Sequence, residues 1–134
     1  MRFRYSCIIV KDVPATVAFY EKAFGFAPRF MHPSKAYAEL ETGATLLSFF
    51  GEAFIANNTL LGELPWRPIR PDSAPVTALL AFDTDTLERD WQRAIATGAM
   101  VVKSPEPKPW QQTVGYLRDP DGIVIELCTT SPRP

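Results

Sequence analysis

Residues 116–126 read YLRDPDGIVIE. Apolar residues enter the stretch at Tyr116 and Leu117 and leave it at Ile123, Val124 and Ile125. Between them, RDPDGI has the chemistry of a tight turn. Pro120 brings a fixed φ, and Gly122 is free to take a positive one. The spacing predicts a hairpin with a 120–122 loop and strands over roughly 111–118 and 123–129. That loop sets Tyr116 opposite Glu126. The second strand, GIVIELCTT, is apolar on both sides apart from this one carboxylate. Burying an ionised carboxylate costs several kcal/mol unless something pairs with it. Glu126 therefore calls for a partner, either in the chain or in a ligand.

Upstream, the chain repeats a pattern. YSCIIVKDVPATVAFYEKAFGF and TALLAFDTDTLERDWQRAIATGA each read as a strand, an amphipathic helix and a glycine stop. Pro14 suits a first helical turn and Gly25 a helix end. In the second copy Asp85 and Glu88 have capping-box spacing, and Gly98 supplies the stop. Leu87, Trp91 and Ile95 share one helical face, and Phe19 matches Trp91, both as core residues. Three strands are expected after each helix, over roughly 28–33, 36–41 and 44–50, then 99–104, 111–118 and 123–129. The chain thus reads as one domain of two β-α-β-β-β modules, 1–50 and 76–130. A proline-rich linker, 51–75, opens with a short helical turn. One helix covers one face of a four-stranded sheet, so the other face falls to the second copy, a partner chain or a ligand.

Strand alternation sorts the residues into two sets. Ile8 and Val10, Leu47 and Phe49, Leu80 and Phe82, and Ile125 and Leu127 make a clean apolar set. Tyr5 and Cys7, Ser48 and Phe50, Thr77 and Leu79, and Glu126 and Cys128 make the other. This mixed set has the composition of a pocket wall, or of a second core layer that carries polar groups.

Charge and composition narrow the function classes. A net charge of −1 argues against nucleic acid, which usually calls for a basic face. No apolar run approaches the roughly 18 residues of a membrane helix. The amino terminus lacks the look of an export signal, and two cysteines then point to reduced thiols in the cytoplasm. Gly-rich phosphate loops, H-E-x-x-H, C-x-x-C and G-x-S-x-G are all absent from the sequence.

A paired β-α-β-β-β repeat that ends on DPDG, with a glutamate four residues on, resembles the vicinal oxygen chelate superfamily. That group includes glyoxalase I, extradiol dioxygenases, fosfomycin-resistance enzymes and bleomycin-binding (bleomycin resistance) proteins. The opening VKDVPATVAFYEKAFGF fits it equally, and the resemblance covers nearly the whole chain. It implies an α+β fold, with two modules forming a curved, incomplete barrel around a cavity. It also implies a homodimer, since many members are dimers. In metal-using members a divalent ion is held by His or Gln, Glu, His and Glu on the first and last strands of each module. Those places fall here on Tyr5, Ser48, Thr77 and Glu126, of which only Glu126 is a good ligand. His32, the sole histidine, sits outside them and reads as a loop residue.

No cofactor is therefore expected, and a divalent metal would need a non-standard site that includes Glu126. The expected function is a metal-independent small-molecule-binding protein that holds an apolar or aromatic compound. A superfamily enzyme is the alternative, with Glu126 and Tyr116 as candidate catalytic residues. A structural dimer with a vestigial cavity is the third reading. Besides the mixed-set residues, Tyr116 and Trp110 are expected at the ligand, with Trp110 capping the cavity mouth or anchoring a loop. Trp66 is a weaker candidate of the same kind. Cys7 and Cys128 face the cavity with no base identifiable beside either.

Overall fold

The computed structural model describes residues 1–58, 66–75 and 78–131. The chain forms two compact units, residues 1–69 and 70–134, so the boundary falls inside the proline-rich stretch. The fold is α+β. The first unit runs β1 (Tyr5–Val10), α1 (Val13–Phe24), β2 (Ala27–Met31), β3 (Tyr37–Glu41), β4 (Leu46–Gly51) and α2 (Glu52–Asn58). The second runs β5 (Leu80–Thr84), α3 (Leu87–Thr97), β6 (Met100–Pro107), β7 (Thr113–Arg118) and β8 (Val124–Thr129). Each sheet places its first strand beside its last, in the orders β1-β4-β3-β2 and β5-β8-β7-β6. Those first-to-last pairings are parallel and the remaining ones antiparallel.

Local chemistry explains the helices. Asp12 caps α1, its carboxylate accepting from the Ala15 amide at 3.0 Å. Gly25 closes α1 and Gly98 closes α3 in the left-handed region. The expected capping box of Asp85 and Glu88 does not form. Thr86 is the N-cap of α3 and makes no side-chain cap bond. Asp90, one turn in, reaches back instead and accepts from the Thr84 and Thr86 hydroxyls. Both of these bonds to an ionised carboxylate are charge-assisted.

Each core lies between a helix and one sheet face. In the first unit Tyr20 is fully buried, with its ring 5.1 Å from Phe49 and 5.4 Å from Phe19. In the second, Trp91 packs over β7, where only a glycine, Gly115, leaves room for it. Each such aromatic contributes about 2–3 kcal/mol of apolar burial. The edge strand β6 carries Pro105 and Pro107, which have no amide hydrogen to offer a further strand.

The turn that opened the sequence reading is tightly built. Asp119 is fully buried, and one of its carboxylate oxygens accepts from the amides of Asp121, Gly122 and Ile123 at 2.9–3.0 Å. Gly122 takes a φ of 103°. The backbone of Arg70 passes so near that a β-carbon at Gly122 would sit 2.3 Å from its carbonyl oxygen. Arg118 donates from Nη1 to the carbonyls of Pro71 at 3.0 Å and Ser73 at 2.7 Å. The turn therefore holds residues 70–73 against the end of the β7–β8 hairpin.

Candidate functional site

The helices leave one face of each sheet uncovered, and register decides which side chains share it. In the first unit, Cys7 lies beside Ser48, and Ser48 beside Glu39. Phe50 lies beside Tyr37 on β3 and Ile9 on β1. Tyr5, at 36% exposure, belongs to the same face. The Phe50 ring is 4.5 Å from Tyr37 and stacks on Phe54 at 5.4 Å. The result is an aromatic surface with a small polar row beside it.

Glu39 organises that row, and the sequence reading passed over it. Tyr37 donates to Glu39 Oε1 at 2.7 Å. Arg29 stands in the β2 irregularity between Pro28 and Phe30, with its Nε 3.5 Å from Glu39 and its Nη1 3.1 Å from Glu41. The signal was present in YAELE: Tyr37, Glu39 and Glu41 alternate with the fully buried Ala38 and Leu40. Desolvation and the Glu39 carboxylate push the Tyr37 hydroxyl up to about 12. A group raised on folding adds stability that is full below its unfolded pKa and is lost as pH climbs through the folded one. Tyr37 should therefore destabilise the fold between pH 10 and about 12. Tyr37→Phe should remove a phenol that ionises near pH 12 from an absorbance titration at 295 nm and flatten the alkaline fall in stability over that window.

In the second unit, Tyr116 stands opposite Glu126, as the three-residue loop requires. Glu126 is half-buried, so β8 is not apolar on both sides. Ile125 and Leu127 go to the core, while Val124, Glu126 and Cys128 take the uncovered face. Desolvation pushes the Tyr116 hydroxyl up, and its hydrogen bond to Glu126 adds to this. The intramolecular partner of Glu126 is thus Tyr116. Cys128 is buried beneath the same face, across from Asp83. Desolvation raises both the Cys7 and Cys128 thiols, so neither is poised as a thiolate nucleophile.

Two hollows mark this face. At the turn end lies a cleft of about 350 Å³, lined by Ala78, Leu79, Val102, Tyr116, Arg118 and Val124. At the other end lies a hollow of about 200 Å³, lined by Ala81, Asp83, Gln112, Cys128 and Ser131. Gln112 is fixed there by its bond to the Thr129 carbonyl at 2.8 Å. Of the sequence candidates, Leu79 and Tyr116 line the larger cleft and Cys128 the smaller. Trp110 lies 57% exposed on the β6–β7 connection, which rules out its reading as a buried loop anchor. Trp66 is half-buried. His32 is an exposed loop residue whose Nδ1 is 2.7 Å from the Ser34 hydroxyl. Thr77 lies outside the described residues.

The four places of a superfamily metal centre can be tested on their chemistry. The resemblance sets these places on Tyr5, Ser48, Thr77 and Glu126. A phenol and two aliphatic hydroxyls are poor partners to one carboxylate around a divalent ion. The Ser48 hydroxyl is already engaged, donating to the Ser6 carbonyl at 3.2 Å. Among the described residues no three His, Cys, Asp or Glu side chains gather as a metal site. This donor set does not fit a divalent ion.

A family model described as Glyoxalase/Bleomycin resistance protein/Dioxygenase superfamily matches residues 2–127. The chain belongs to this superfamily. The uncharacterized protein YraH of Bacillus subtilis (strain 168) is 23% identical over 121 residues, covering 90% of this chain and 91% of its own. Among solved structures, a glyoxalase/bleomycin resistance protein/dioxygenase family enzyme from Burkholderia phytofirmans PsJN is 26% identical. It superposes with a TM-score of 0.77 over 95% of this chain and 97% of its own. A glyoxalase-related enzyme from Fulvimarina pelagi shares the fold at the same TM-score, with 20% identity over 97% of this chain and 88% of its own. Within the superfamily, this chain carries a DPDG turn over residues 119–122 and Glu126 four residues on. Among the described residues, no helix is long and apolar enough to cross a membrane.

Proposed function

We propose that this superfamily member is a metal-independent small-molecule-binding protein that holds an apolar or aromatic compound. The carrying observation is the 350 Å³ cleft of the second unit, whose walls are mainly aliphatic with one phenol and one guanidinium. That size and mixture are typical of sites for small organic ligands. The aromatic surface of Tyr37, Phe50 and Phe54 in the first unit supports the same ligand class. On this reading the protein acts in the cytoplasm as a homodimer, a second copy being one way to cover an open sheet face.

A second reading has one observation in its favour. The Tyr116 hydroxyl and the Glu126 carboxylate face each other, so a proton has both a donor and an acceptor on the open face. In that case Glu126 serves as a general base without a metal.

Two measurements test these readings. Elemental analysis after incubation with Zn, Ni, Mn or Fe(II) should find well under one metal per chain. Near-stoichiometric metal that disappears in Glu126→Gln would overturn the metal-independent reading. A thermal-shift screen of aromatic compounds should find ligands that raise the melting temperature. At 100 times its dissociation constant a ligand adds about 2.7 kcal/mol, or roughly 10 °C for a chain of this length. A screen without any shift, alongside a well-folded dimer, would favour the structural role.

A further inference from the structure

The geometry points to an apolar carboxylate as the ligand of the second unit's cleft, with Arg118 as the residue that selects it. The inference rests on the small-molecule reading above and names the ligand's class. Among the described residues that line the cleft, Arg118 carries the only charged side chain. Its Nη1 is fully used, donating to the carbonyls of Pro71 and Ser73. Among the described residues, Nε and Nη2 have no partner and no carboxylate pairs with this guanidinium. These two nitrogens form one edge of the planar group, the edge that grips a carboxylate with two parallel hydrogen bonds. The carbonyls that occupy Nη1 also fix the plane, so little side-chain freedom remains to be lost on binding.

The rest of the cleft suits an apolar body. Leu79 is 47% exposed and Val102 is 56% exposed, with Val124 and the Tyr116 ring beside them. Covering these side chains supplies affinity without regard to charge, and Arg118 then discriminates. The nearby acids leave the guanidinium available. Asp119 spends one carboxylate oxygen on three backbone amides. Glu126 stands one pair along β8 from Val124, about 7 Å by strand geometry, and is hydrogen-bonded to Tyr116.

The test compares ligands of one shape and three charges. Benzoate, 2-naphthoate and octanoate are titrated calorimetrically into the full chain, beside their primary amides and the corresponding primary amines. At least one acid should bind, at least tenfold more tightly than its amide. Arg118→Gln should abolish that preference, bringing acid and amide within twofold of each other. Arg118 also holds residues 71 and 73, so a second variant spares those bonds. Val102→Glu changes an exposed side chain and sets an anion at the cleft wall. It should weaken the acid at least tenfold more than it weakens the amide, which loses only the apolar cover. Equal binding of acid and amide, or tighter binding of an amine, overturns the carboxylate assignment while the small-molecule reading stands. Failure of all three charge types to bind overturns both.

Discussion

Gly122→Ala is expected to lower the melting temperature by roughly 10 °C or more. Two costs add at this position. A φ of 103° strains any residue with a β-carbon, at about 1–3 kcal/mol. The new methyl would also lie 2.3 Å from the Arg70 carbonyl oxygen and 2.7 Å from its carbon, which are backbone atoms that cannot rotate aside. Crowding of this kind adds about 1–3 kcal/mol. Gly43→Ala separates the two costs. Gly43 has a similar φ of 105°, but a β-carbon there would meet nothing within 4 Å. It should show the conformational penalty alone. If the two variants melt together, residues 70–73 do not press on the turn, and the anchoring role given to the RDPDG hairpin is wrong.

Gly115→Ala should cost about 2–3 kcal/mol, read by urea unfolding, for a different reason. Its backbone is ordinary extended strand, and the obstacle is Trp91. An added β-carbon would sit 2.5 Å and 2.8 Å from two atoms of the six-membered ring, and 3.0 Å from Pro105. Trp91 is only 4% exposed and has little room to retreat. Phenylalanine at position 91 lacks the outer ring atoms, so Gly115→Ala should cost far less in a Trp91→Phe background. Trp91→Phe alone opens a cavity and is itself destabilising. The double-mutant cycle should therefore give a favourable coupling of about 1–2 kcal/mol. A coupling near zero would mean that the helix and sheet can shift to absorb the methyl.

What could be read from the sequence followed the range of the interactions involved. The β7–β8 hairpin was legible because proline, aspartate and glycine specify a turn within six residues. Both helices were legible from their glycine stops and apolar spacing. The α3 cap was misread because Asp85 has the right spacing, while the carboxylate that gathers the local hydroxyls belongs to Asp90. The pairing of Tyr116 with Glu126 followed from loop length alone. Glu39 and Arg29 lie on β3 and β2, outside the first and last strands that the family resemblance singles out. Their link is an ion pair between adjacent strands, with Arg29 displaced at a register irregularity that a sequence does not announce. Arg118 read as part of a turn. Its unpaired edge depends on contacts with residues 71 and 73, more than forty positions away.

The order of strands in the two sheets also sets a timetable for synthesis. Among the described residues, β1 has β4 as its only sheet neighbour and β5 has β8, and each pair is separated by about forty residues of chain. As the nascent chain emerges, the opening strand of each unit waits unpaired until its closing strand appears. Hairpins can form early, but neither sheet is complete until its last strand slots between the first and third. In the second unit that closing strand is β8, which carries Glu126 into line with Tyr116. The carboxylate on the open face is therefore positioned by the same event that finishes the fold.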